Sequence, residues 1–140
     1  MSGKFFLDTN IFIYSFDEKN KFKRQASKSL IQNALKFQNG IISFQVIQEF
    51  LNIATKKLPV VLSLEELRDY LQIVLVPLCD VYPTHELYKY ALELHKINQI
   101  PFYDSLILAA AIQTGCVLLY TEDLQHGRVI SGVKIQNPFV

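Results

Sequence analysis

Four carboxylates stand in unusually apolar company. Asp8 closes the run Phe5-Phe6-Leu7, and Glu49 lies among Val46, Ile47, Phe50 and Leu51. Asp104 precedes the apolar stretch Leu106–Ile112, and Asp123 follows Val117–Tyr120 by way of Thr121 and Glu122. Carboxylate oxygens repel one another at short range, so acids gathered at one place are stable mainly when a divalent cation neutralises them. All-oxygen ligation selects a hard ion, Mg2+ or Mn2+. Each acid also has a plainer reading. Asp8 and Asp104 stand where helices open, and Asp is a common helix cap. Glu49 can reach water from the rim of its helix, and Asp123 suits a turn. Capping does not explain why the acids gather.

The elements around them bring about that gathering. Phe5–Leu7 reads as a buried strand whose end, Asp8-Thr9-Asn10, opens a helix. Lys21–Gln38 carries Phe22, Ala26, Leu30, Ala34 and Phe37 at helical spacing, with Asn39-Gly40 as its stop. Ile41–Ser43 reads as a strand, and Val46–Ala54 as an amphipathic helix. Ser63 and Glu66 form a capping box for another helix, which Pro77 is expected to end. Leu78–Val81 is a short strand, and Thr84 caps a helix with Leu87, Ala91, Leu94 and Ile97 inward. Asp104 opens the helix Ser105–Thr114. Cys116–Tyr120 lacks polar alternation, as a strand covered on both faces would. Val133–Ile135 follows a turn at Ser131-Gly132. Strands alternating with helices predict a parallel sheet covered on both sides. In such a sheet ligands bind at the carboxyl ends of the strands. Asp8 and Asp123 fall at that edge, and so does the start of the Asp104 helix, whose dipole favours an anionic side chain.

Composition narrows the alternatives. Half the residues are hydrophobic and 19% are charged, which excludes a largely disordered chain. The longest apolar run is seven residues, against the ~20 that a membrane-spanning helix needs. Acid arrives too early at the start for a secretory signal, so a cytoplasmic protein is expected. Cys79 and Cys116 read as free thiols. No repeat or Gly/Ser linker interrupts the chain, and residues 1–140 read as one domain. A net charge of +1 leaves nucleic-acid binding to a local patch.

Taken together, Phe5–Leu7 with Asp8-Thr9-Asn10, Gln48-Glu49-Phe50, Tyr103-Asp104-Ser105-Leu106-Ile107 and Leu119-Tyr120-Thr121-Glu122-Asp123-Leu124-Gln125-His126-Gly127 resemble the PIN domain. Length, order and the closing loop resemble the VapC-type toxins within it. The resemblance implies an α/β/α sandwich around a mainly parallel sheet, and a Mg2+- or Mn2+-dependent endoribonuclease. It also implies a homodimer and a VapB-like antitoxin. Asp8, Glu49, Asp104 and Asp123 would form its acidic tetrad. Asp8 and Asp104 would bind metal directly, with Asn10 and Thr121 in support. The metal would lower the pKa of a bound water and stabilise charge on the reacting phosphate.

Other classes fit less well. An aspartyl-phosphate enzyme typically needs a second Asp where Asn10 stands. A phospho-receiver domain needs a mid-chain Asp, a part open to Asp80, and a late Lys that Lys134 supplies poorly. A PIN-like binding module without turnover would be expected to lack one of the four acids. For RNA contact, Lys21, Lys23 and Arg24 form a basic stretch, and Arg128 follows the final loop; a solvated helix face is the plainer reading of the first three.

Overall fold

A computed structural model describes residues 3–56 and 60–140. Six strands form one sheet in the order β3-β2-β1-β4-β6-β5. These are β1 (Phe5–Leu7), β2 (Gly40–Ser43), β3 (Cys79–Val81), β4 (Leu118–Tyr120), β5 (Val129–Ile130) and β6 (Val133–Gln136). All neighbours pair parallel except β5 and β6. The helices are α1 (Thr9–Tyr14), α2 (Lys21–Phe37), α3 (Phe44–Ala54), α4 (Leu64–Tyr70), α5 (Val76–Leu78), α6 (His85–Asn98) and α7 (Phe102–Gln113). Helices cover both faces of the sheet, giving three α/β/α layers. The burial of all of β1, a strand with no polar side, requires this. Helix α7 lies against β2 and β4 and also contacts α6, while α2 and α5 contact β2. Seven successive residues of α7, Ser105–Ala111, are buried.

Several boundaries differ from the sequence reading. Helix α2 buries Ser27, Ile31 and Ala34, leaving Phe22 and Phe37 more than 60% exposed. Its inward arc is therefore narrower than the apolar pattern and rotated from it. Gln38, at φ 54°, makes the left-handed turn at the end of α2, and Gly40 belongs to β2. A Cβ on Gly40 would lie 2.2 Å from that of Ala34, so this glycine lets the helix approach the strand. Pro77 does not end its helix. The chain passes from α4 into a π-helical stretch, Leu71–Leu75, and continues through Pro77 to Leu78. The wider turn sits just where proline removes a backbone donor. Ile97 is 76% exposed rather than inward. Pro101 caps α7, so Asp104 sits inside its first turn. Strand β4 begins at Leu118, and Val117 before it is exposed. The pair β5–β6 is an antiparallel hairpin whose first strand the sequence reading missed, turning at Ser131 and Gly132 with both φ positive. Both cysteines are free, as expected.

Candidate active site

The register of β1 against β4 fixes the centre of the site. Leu7 pairs with Tyr120, so the next residues, Asp8 and Thr121, emerge side by side at the carboxyl edge. The Asp8 amide donates to the Tyr120 carbonyl (3.1 Å). Asp8 is 6% exposed and caps α1, its Oδ1 accepting from the Thr9 amide (2.7 Å). Its Oδ2 accepts from the Thr121 hydroxyl (2.7 Å). That hydroxyl oxygen in turn accepts from the Asp123 amide (3.1 Å), so one threonine holds two acids in place.

Glu49 reaches the same place from α3. The Thr9 hydroxyl donates to its Oε1 (2.7 Å), and Gln45 Nε2 lies 3.4 Å from its Oε2. Gln45 Nε2 also donates to the Tyr103 carbonyl (3.2 Å), tying α3 to the start of α7 beside Asp104. Both of these partners accept, which fixes the orientation of the Gln45 amide. Its Oε1 is left buried and without a donor. Asn10 Nδ2 approaches Asp123 Oδ2 at 3.4 Å. A cavity of about 330 Å³ joins these residues, lined by all four acids together with Thr9, Asn10, Gln45 and Tyr103.

Among the described residues no lysine, arginine or histidine lines this cavity, and three of its carboxyls are raised. Burial pushes Asp8 up to about 7 against the opposing hydrogen bonds from Thr121 and Thr9, and the charges of Asp123 and Glu49 add to the rise. Asp104 is raised by burial, then by Asp123 and Glu49. Asp123 is raised by burial, then by Glu122 and Glu49. Oxygen donors in excess of local positive charge suit a hard divalent cation. Among the described residues, no group of three or more His, Cys, Asp or Glu side chains is disposed to hold a metal ion. A Mg2+ ion commonly takes only one or two carboxylates and keeps water in its other positions.

The basic residues lie outside the cavity. Lys23 makes an ion pair with Glu122 (3.1 Å) and sits 4.3 Å from the Tyr14 ring centre. Lys21 is exposed, and the Nε of half-buried Arg24 is buried without a partner. Arg128 contacts the Asn98 carbonyl and side-chain oxygen at 3.4 Å. Sequence reasoning missed Thr9 and Gln45. Gln45 stands four residues before Glu49, so helical spacing alone places the two on one face.

Comparison with known proteins agrees with this architecture. The sequence matches the PIN domain family over residues 5–130. No curated protein matches it by sequence. The fold is similar to that of a toxin–antitoxin complex from Klebsiella pneumoniae, with TM-score 0.66, 18% identity, and 95% of this chain and 96% of that one covered. It is also similar to DNA-bound VapBC from Salmonella typhimurium (TM-score 0.64, 22% identity, 97% and 98% covered). A third similar structure is VapC20 of Mycobacterium tuberculosis, a sarcin-ricin loop cleaving toxin (TM-score 0.60, 16% identity, 86% and 90% covered).

Proposed function

The chain belongs to the PIN domain family, and on that premise we propose that it is a Mg2+- or Mn2+-dependent endoribonuclease, the toxin of a toxin–antitoxin pair. The observation that carries this reading is the cavity holding four carboxylates and, among the described residues, no cationic side chain. Asp8 and Asp104 would hold the ion directly, with Glu49 and Asp123 acting through its waters. When bound, the ion supplies an activated water and stabilises charge on the phosphate.

The chain's own residues do the positioning. Thr121 and the Thr9 amide hold Asp8 with both oxygens facing fixed donors, and each oxygen keeps a lone pair for a ligand. Thr9 and Gln45 orient Glu49. Asn10 and the Thr121 hydroxyl fix Asp123. Preset donors of this kind spare the site reorganisation when charge develops. RNA is the substrate, and Lys21, Arg24 and Arg128 are candidate phosphate contacts; Lys23 is engaged by Glu122. A homodimer, a VapB-like antitoxin and a cytoplasmic location complete the proposal. The structures similar in fold support the antitoxin, since two of them are described as a toxin–antitoxin complex and as VapBC. No helix among the described residues is long and apolar enough to cross a membrane.

The test is direct. Purified protein should cut RNA in Mn2+, stop in EDTA and resume when Mn2+ is restored. Asp104→Asn should lower the rate by at least about two orders of magnitude, since it removes a charge that holds the ion. Cutting that continues unchanged in EDTA overturns the reading.

A further inference from the structure

We propose that Tyr103 is a stacking platform for an unpaired nucleobase beside the bond being cut. The inference rests on the ribonuclease reading above and deepens it.

Tyr103 lines the acidic cavity next to Asp104 and is exposed, although it sits in the first turn of α7, which buries seven successive residues. The residue is 67% exposed, yet it is held at two points. Its carbonyl accepts from Gln45, which also orients Glu49. Its ring meets Phe102 edge-on, with centres 5.7 Å apart and planes at 65°. An uncovered aromatic ring gains stability from any flat apolar group laid against it, and with two side-chain torsions it loses little freedom in doing so. Ile53 and Ile107 extend the apolar part of the same lining.

A nucleobase is such a group, and the phosphate attached to it is what the metal-binding acids would address. Inside a duplex both faces of a base are already stacked, so only an unpaired base has a face to offer. Stacking accepts any base. Tyr103 would therefore anchor the strand and set the distance from base to scissile phosphate, without reading sequence.

A single-stranded oligoribonucleotide carrying 2-aminopurine reports this, because its emission falls when the base stacks. It would be titrated with protein in Ca2+, while kcat and KM for cleavage are measured separately in Mn2+. Wild type and Tyr103→Phe should quench the probe. Tyr103→Ala should bind about tenfold more weakly and raise KM by a similar factor, with a smaller change in kcat. Its melting temperature should match wild type, because the ring is exposed. The same probe annealed to its complement should not be quenched by the protein. If Tyr103→Ala binds and quenches like wild type while still cutting RNA, the platform is wrong and the ribonuclease reading stands. If quenching depends on Tyr103 but the wild type cuts no RNA under any divalent ion, the platform stands and that reading fails.

Discussion

Glu122 and Asp123 are chain neighbours with opposite fates. Glu122 turns towards α1 and α2, where the Tyr14 hydroxyl donates to it and Lys23 pairs with it at 3.1 Å. Lys23 also lies near the rings of Tyr14 and Phe139, at 4.3 and 5.2 Å from their centres. That cluster neutralises its own charge, and among the described residues it contains the only ion pair. Asp123 turns the other way, towards Asp8, Glu49 and Asp104; its backbone amide donates to the Thr121 hydroxyl, and among the described residues its carboxylate meets the Asn10 side-chain amide but no cation. A buried or half-buried acid is costly unless paired. The fold meets that cost for Glu122 and leaves it standing for Asp8, Asp104 and Asp123, whose carboxyls stay raised. The distribution of partners, more than the number of acids, separates a structural charge from a ligand-seeking one.

Removing one unpaired acid should expose this contrast most strongly. Asp8 titrates near 7 in the folded protein and near 3.8 unfolded. Its folded pKa is raised, so its contribution to stability is fully present below pH ~4 and is lost as pH rises through about 7. The loss is about 4 kcal/mol, roughly 10 °C in melting temperature for the metal-free protein. Asp8→Asn should flatten that stretch of the pH profile, melt at or above wild type in EDTA at pH 7.5, and gain little from Mn2+. Wild type should gain clearly from Mn2+ by ligand linkage. A variant that melts well below wild type in EDTA, with a wild type indifferent to Mn2+, would make Asp8 merely a cap.

The paired cluster should behave in the reverse sense. Lys23→Met strands Glu122 and should cost about 1 kcal/mol, a few degrees, equally in EDTA and in Mn2+. A loss confined to the Mn2+-bound protein would tie this cluster to the acidic cavity and blur the distinction. Smallest of all, Lys21→Ala should leave melting unchanged and lower the salt dependence of RNA binding by about one counterion. An unchanged salt slope would return Lys21 to the solvated surface.

The strands nearest the site could be read from sequence because each is continuously apolar and ends in a polar residue, as Phe5–Leu7 does at Asp8. Glu49 stood out as a charge amid apolar neighbours. What could not be read depends on tertiary geometry. The Thr9–Glu49 hydrogen bond spans 40 positions in the chain. The inward face of α2 depends on how closely Ala34 approaches Gly40, and apolar periodicity gives no sign that Ser27 is buried while Phe22 is not. Proline's usual effect misled at Pro77, because the π-helical turn before it absorbs the missing bond. Two-residue β5 is too short to show a period at all.

The sheet's two outer strands carry a consequence for assembly. β3 has three residues, with Asp80 exposed on it, and β5 has two. So little free backbone, with a charge in the middle of one rim, gives another chain almost nothing to pair with. Edges this short and charged disfavour joining copies by extending the sheet from one molecule to the next. A strand-upon-strand aggregate finds only a three-residue and a two-residue template at the rims of the folded sheet.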